Sequence, residues 1–460
     1  MLLSTANRLL MSLMLIHPLV TTTKDLSARC AAVAHADYLC IDTEFMREST
    51  YWPELCLIQV ASPTEAFAID PMADGLSLTP FLALLDDNDL LKVIHAGGQD
   101  IEIFMNITGR VPQPLFDTQI AAMALGMGEQ VSYANLVAHF TGHQVDKGAR
   151  FTDWARRPLS DRQLVYAIAD VTYLAEIFPK MLAKLKKTGR GEWLDEEMAR
   201  ATDPSNYVAD PEQVWQRVKL PNRKPEVLGR LKALARWREY EARDKNVPRG
   251  RIVKDETLAD LAAGPPASQS ELGRVRGLSA AWGSNGIGER LMEALAGATP
   301  MAADEIPVKD GRPGLSTDAG LVADLLKLLL KIRCKEQGVA PRLVARTEEL
   351  ELLAAGQREG LAILGGWRRA LVGADCLDLV EGRLGFSVEN GALRMRPLAP
   401  VAADAPGTTA PAIPAPGITA PGITAPVPAS PPPPAPAPAP KPDVVAAPPR
   451  RTAPKRRAPG

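Results

Sequence analysis

Between residues 15 and 200, short apolar runs of strand length alternate with longer helical patterns, and past residue 210 the strand-length runs stop. No other feature constrains the fold as strongly. Strand-like runs fall at 15–21, 38–43, 55–61, 66–70 and 91–95, and helical patterns at 24–35, 80–87, 99–106, 117–126, 132–140 and 160–187. The chain should therefore open with an α/β domain, a mixed sheet covered by helices on both faces. The longest helix carries its own boundary signals. Ser160 and Gln163 form a capping-box pattern at its start, and Lys184, Lys186, Lys187 and Gly189 supply the cations and glycine expected at its end.

From residue 211 the pattern reads as all helical, after a linker at 201–210, and two segments repeat one another. Asn246 to Ala263 aligns with Gly338 to Ala355: both carry Pro-Arg, then an aliphatic residue, an acidic helix start and a Leu-x-x-Leu-Ala-Ala stripe. Each follows an amphipathic helix, at 226–244 and 318–336, so a duplicated helical module over 211–298 and 315–395 is the economical reading. Between Trp215 and Lys254 about 13 Lys or Arg stand against about 4 Asp or Glu. Arg230, Lys232 and Arg236 belong to that cluster, the expected footprint for a phosphate backbone. From 398 to 460 the chain is rich in Pro and Ala, a composition that buries no core and predicts disorder with some polyproline II.

At 460 residues and 46% hydrophobic content the chain can build several cores, while a net charge of −1 gives no whole-chain sign of a polyanionic partner. Cys30, Cys40, Cys56, Cys334 and Cys376 are dispersed without a Cys-x-x-Cys pair, which favours free thiols in a reducing cytoplasm over disulfides or zinc. The apolar run Leu9 to Ile16 after Arg8 is short for a signal peptide, lacks a small-residue cleavage site and falls well under a membrane span. Residues 1–13 read as an extension or an over-long start.

Five residues stand out chemically. Asp42 and Glu44 follow the strand-like run Tyr38 to Ile41 and, two apart, project from one face. Asp100 follows the run ending at His95, and Tyr166 and Asp170, four apart on a helix, share a face. Carboxylates converging from separate elements suit hard divalent cations such as Mg²⁺ or Mn²⁺. Two such ions need about four carboxylates, and Asp42, Glu44, Asp100 and Asp170 make that number. The reading gives Asp42 the bridging position, Glu44 and Asp170 the ion nearer the attacking water, and Tyr166 the task of holding that water. His95, ending an apolar run, reads as a structural or substrate-side residue rather than a metal ligand.

At these residues the chain resembles the DEDD superfamily of 3′-5′ exonucleases, and within it the ribonuclease D family. Asp42-Thr-Glu-Phe-Met-Arg-Glu48 with Tyr51 to Val60 is similar to the first family motif, and Lys92 to Phe104 to the second. Phe116-Asp-Thr-Gln119 matches a stretch between motifs, and Thr152 to Leu174 resembles the third, with a tyrosine four residues before its aspartate, as in the tyrosine subclass. The first helical module resembles the helicase-and-RNase-D C-terminal (HRDC) domain through Trp215, Trp237-Arg-Glu239 and Pro248-Arg249, and the second is its diverged copy.

The resemblance implies a ribonuclease H-like exonuclease domain over 14–200, two HRDC-type domains, two divalent metal ions, and a monomer trimming RNA 3′ ends, tRNA precursors among them, with release of 5′-mononucleotides. An unpaired 3′ end needs a pocket lined by stacking groups. Phe45, Met46, Tyr51, Trp52 and Trp154 are candidates, with His95 and Arg156 on the substrate side. A DNA exonuclease of the same superfamily and a catalytically inactive RNA-binding adapter are the alternatives; the tail is an RNA tether or a solubilising extension. Because every proposed ligand precedes residue 171, removal of 211–460 is expected to leave a folded nuclease.

Overall fold

A computed structural model describes residues 14–146, 148–149, 152–220, 222–306 and 315–399. The expected N-terminal extension and the Pro/Ala-rich tail lie outside them. Six strands form one sheet: β1 (Leu15–Ile16), β2 (Tyr38–Met46), β3 (Glu54–Ala61), β4 (Glu65–Ile69), β5 (Leu91–Ile94) and β6 (Leu115–Asp117), ordered β1-β4-β3-β2-β5-β6. Strands β2, β3 and β4 pair antiparallel, while β1 on β4, β5 on β2 and β6 on β5 are parallel, so the sheet is mixed as expected. The sequence reading overlooked β6, three residues that pass directly into a helix.

Helices α1 (Thr23–Val33), α2 (Thr79–Asp86) and α3 (Gly98–Thr108) cover one part of the domain, followed by α4 (Thr118–Ala124), α5 (Tyr133–Thr141) and the long α6 (Asp161–Thr188). Both halves of the capping box form at the start of α6, and Gly189 closes it in the left-handed region. One sheet face, with Leu39, Ile41, Ile58 and Val60, packs into a core with α1, α2 and α3. The opposite face is lined by Cys40, Ala61, Ala66 and Ala68, small residues that let α6 lie close across the strands.

Past a short helix α7 (Asp195–Ala201) come two helical units whose first three helices match in order. The first holds α8 (Pro225–Asp244), α9 (Arg249–Ile252), α10 (Asp255–Ala263), α11 (Gln269–Leu272) and α12 (Gly286–Ala296). The second holds α13 (Thr317–Gln337), α14 (Pro341–Val344), α15 (Thr347–Ala354) and α16 (366–380), with a π turn at Arg369–Gly373. In each, a long helix ends on a left-handed residue, Asn246 (φ 47) or Gly338 (φ 59), before a four-residue helix starts at the repeated Pro-Arg. The all-helical reading fails at the end of the second unit. There β7 (Leu384–Glu389) and β8 (Ala392–Pro397) form an antiparallel hairpin. Its turn is Asn390-Gly391, both at positive φ, the dipeptide that two-residue hairpin turns favour.

The second unit shares a core with the α/β domain: Ala121, Leu136, Met181 and Leu194 belong to one cluster with Leu326, Leu343, Leu350 and Ile363. Trp193 stacks on Trp367 at 4.3 Å, and the Ala340 N–H donates to the Met123 carbonyl at 2.9 Å. All five cysteines are buried and unpaired. No helix among the described residues is long and apolar enough to cross a membrane.

Candidate active site

Strand β2 delivers Asp42 and Glu44 to the face on which α6 lies, and α6 brings Tyr166 and Asp170 down on it one turn apart. Oxygens of Asp42, Glu44 and Asp170 all lie within 4.8 Å of one another. Asp100, in the first turn of α3, is buried and accepts a hydrogen bond from the Thr43 hydroxyl. It borders the same cleft but stands outside the tight trio. Asp117, at the end of β6, accepts from the Ala96 and Gly97 N–H groups at 3.0 and 3.2 Å and so fixes the start of α3. The cleft that results encloses about 830 Å³ and contains all five residues singled out on chemical grounds.

The electrostatics follow from crowding. Burial, then the charges of Asp100, Asp170 and Glu44, push the Asp42 carboxyl well above the usual carboxylate range. Burial raises Asp100 to about 6, against the hydrogen bond from Thr43 that lowers it. Carboxylates this close ionise together only when a cation balances them. The donor set is oxygen alone, without histidine nitrogen or thiolate, and so fits a hard divalent ion. The Tyr166 phenol is pushed upward by burial first and then by Asp170, Glu44 and Asp42.

The substrate-side expectations divide. Phe45, Met46 and His95 line the cleft. His95 Nδ1 lies 3.0 Å from the Thr118 hydroxyl, its ring sits 5.5 Å from that of Tyr133, and burial lowers its pKa, keeping it neutral. Trp154 borders the cleft but is only 2% exposed, and its ring lies against Tyr166 at 6.2 Å, so it has no open face for a base. Arg156 is exposed and away from the cleft wall.

Tyr51 and Trp52 require a correction. They lie outside the cleft and dock on the first helical unit, where the Tyr51 hydroxyl donates to Glu239 and Asn246 Oδ1 accepts from both backbone N–H groups at 3.1 Å. Arg230, Lys232 and Arg236 likewise have partners inside the protein. Arg230 donates to the Ala262 carbonyl at the end of α10 (2.7 Å), Lys232 faces Glu305 (3.7 Å) and Arg236 pairs with Glu212 (3.0 Å).

Sequence reading missed Thr43, Asp117 and Tyr133. Tyr133 lines the cleft and donates its hydroxyl to the Asp170 backbone carbonyl. Only Asp117 had a legible signal, as the N-cap that opens α4.

Residues 18–186 match the family described as 3′-5′ exonuclease, and residues 227–295 match the HRDC domain. Fold and site together thus define a 3′-5′ exonuclease with a helical HRDC domain behind it. The chain is 64% identical over 384 residues to ribonuclease D of Sphingobium indicum, covering 83% of this chain and 99% of the relative. It is 56% identical to ribonuclease D of Zymomonas mobilis, covering 83% and 98%. The crystal structure of Escherichia coli RNase D, an exoribonuclease involved in structured RNA processing, superposes with a TM-score of 0.66 at 28% identity, covering 80% and 99%. The chain belongs to the ribonuclease D family.

Proposed function

We propose that this protein removes nucleotides one at a time from the 3′ ends of structured RNAs, tRNA precursors among them, and releases 5′-mononucleotides. The observation that carries the reading is the convergence of Asp42, Glu44 and Asp170 within 4.8 Å, with Tyr166 one turn from Asp170. Relatedness to E. coli RNase D supports the choice of structured RNA. Asp42, Glu44 and Asp170 would hold one Mg²⁺ or Mn²⁺, and Asp42 with Asp100 a second. Bound there, the ions supply positive charge to the scissile phosphate and lower the pKa of water.

The protein's own groups do the rest. The Tyr166 hydroxyl, one turn from Asp170 and with its pKa raised by burial, orients the attacking water. Phe45, Met46 and His95 form the wall against which the terminal nucleoside rests. Upstream phosphates pass to the first helical unit, where Arg217, Lys219 and Lys254 are exposed and a second cleft of about 340 Å³ is lined by Arg217, Arg238, Arg249 and Lys254 together with Asp255 and Glu256. In this reading residues 14–200 are the exonuclease domain, 201–210 the linker, 211–298 the first HRDC domain and 315–395 its diverged copy, in a cytoplasmic monomer.

Matched end-labelled RNA and DNA oligomers, incubated side by side with Mg²⁺ and then Mn²⁺, test the substrate class. RNA should shorten stepwise from its 3′ end while DNA is spared; equal degradation of both would overturn the assignment to RNA.

A further inference from the structure

The contact between the α/β domain and the first helical unit is built around one fully buried carboxylate. Glu239, on α8, is 0% exposed. An isolated buried charge is costly, so its partners define what the site requires. Arg243 reaches it at 3.0 Å and Arg249 at 2.8 Å, both from the same unit, and the third donor is the hydroxyl of Tyr51 from the other domain. That hydroxyl also accepts from Arg243 at 3.1 Å and from Arg249 at 2.9 Å, and the Arg249 guanidinium lies 4.8 Å from the Tyr51 ring centre. Asn246 grips the backbone beside it, its left-handed φ of 47 turning Oδ1 toward the consecutive N–H groups of Tyr51 and Trp52.

The loop held in this way leads straight into the catalytic cleft. It begins at the end of β2, where Met46, Arg47 and Glu48 line the cleft wall. Its near end is tied by a bidentate pair between Arg47 and Glu102, both bonds 2.7 Å, and Glu102 sits on α3 two residues past Asp100. One end of the loop is thus fixed to the helix carrying Asp100, and the other to the first helical unit.

We propose that Glu239 and Asn246 are positioning residues: through Tyr51 they hold the 47–53 loop, and with it the entrance wall of the cleft, in the arrangement that turns over substrate. The helical unit then acts on catalysis itself, apart from any grip on RNA. This rests on the exonuclease reading above. It predicts an effect on a substrate too short to touch the helical units.

The test uses full-length protein, a tetraribonucleotide and Mg²⁺, with Tyr51→Phe, Asn246→Gly and Glu239→Gln compared with wild type. Asn246→Gly keeps the backbone conformation and loses only the two hydrogen bonds, so it guards against Glu239→Gln failing to fold. Hydrogen exchange at the Tyr51 and Trp52 amides reports the loop independently of activity. The expected result for Asn246→Gly is at least tenfold faster exchange there, with kcat down five- to twenty-fold and KM within about twofold. Tyr51→Phe combined with Glu239→Gln should be no worse than the more damaging single change, because both break one link. Faster exchange with wild-type kcat would show a merely structural contact and overturn the proposal, and so would unchanged exchange. A wild type that leaves the tetranucleotide intact would remove the exonuclease reading and this proposal with it. Activity in the wild type that the variants match removes this proposal alone.

Discussion

Asp42 meets every other group at the site: its carboxyl is raised by burial and by the charges of Asp100, Asp170 and Glu44. Replacing it by Asn keeps the shape and removes the charge the proposed ions need. Asp42→Asn should therefore lower turnover roughly 10³-fold or more while leaving RNA binding intact, measured by single-turnover cleavage and by binding of the same RNA. Tyr166→Phe should lower kcat about 10²-fold with little change in affinity. Burial and the surrounding carboxylates push this phenol upward, away from the working range. The pH–rate profile of Tyr166→Phe should keep the wild-type shape, and a lost limb would mean the hydroxyl does exchange a proton. The spacing of the acids was legible because two- and four-residue periods are local facts. Which aromatic faces the cleft was not, since Trp154 is covered by packing among residues distant in sequence.

Helix α3 shows what an element adds. Its start is set by Asp117 and by Gly97, where a Cβ would come within 2.2 Å of Ile94 Cδ1 and 3.0 Å of Ile94 Cβ. Gly97→Ala must push aside either the Ile94 side chain or the start of α3, and with the latter Asp100. The variant should lose at least tenfold in kcat, and Ile94→Val in the same chain should recover part of it; wild-type kinetics in Gly97→Ala would show that the start of α3 is slack. In the sequence Gly97 and Gly98 read only as residues of poor helix propensity. Their purpose needs the strand beneath. The other main helices were legible to within a few residues because long amphipathic patterns are strong signals. Strand β6 and the β7–β8 hairpin were not, being short and set among helical patterns, although Asn390-Gly391 marked the turn.

At the scale of the molecule, the shared core argues against the expectation that removal of residues 211–460 leaves a folded nuclease. Leu326, Leu343, Leu350 and Ile363 complete a core begun by Ala121, Leu136, Met181 and Leu194, so the cut would bare apolar surface on the nuclease. Residues 14–210 alone should melt about 10 °C or more below the full chain, or aggregate, in a thermal scan. Sequence could not show this, because the repeat pattern suggests self-contained modules and says nothing about which faces they share. The RNA grip belongs to this scale too. Charge reversal at Arg217, Lys219 and Lys254 should weaken binding of a tRNA precursor and flatten its salt dependence by about 0.7 for each phosphate no longer neutralised. An unchanged slope in salt titrations would place the RNA elsewhere.

The most direct test follows a 5′-labelled RNA with a structured body and a single-stranded 3′ overhang through a time course with Mg²⁺, comparing the full-length protein with Asp42→Asn. The proposed site predicts a ladder that shortens one nucleotide at a time from the 3′ end with 5′-mononucleotides released, and intact, bound RNA with Asp42→Asn. Wild-type turnover by Asp42→Asn, or products cut internally, would contradict it.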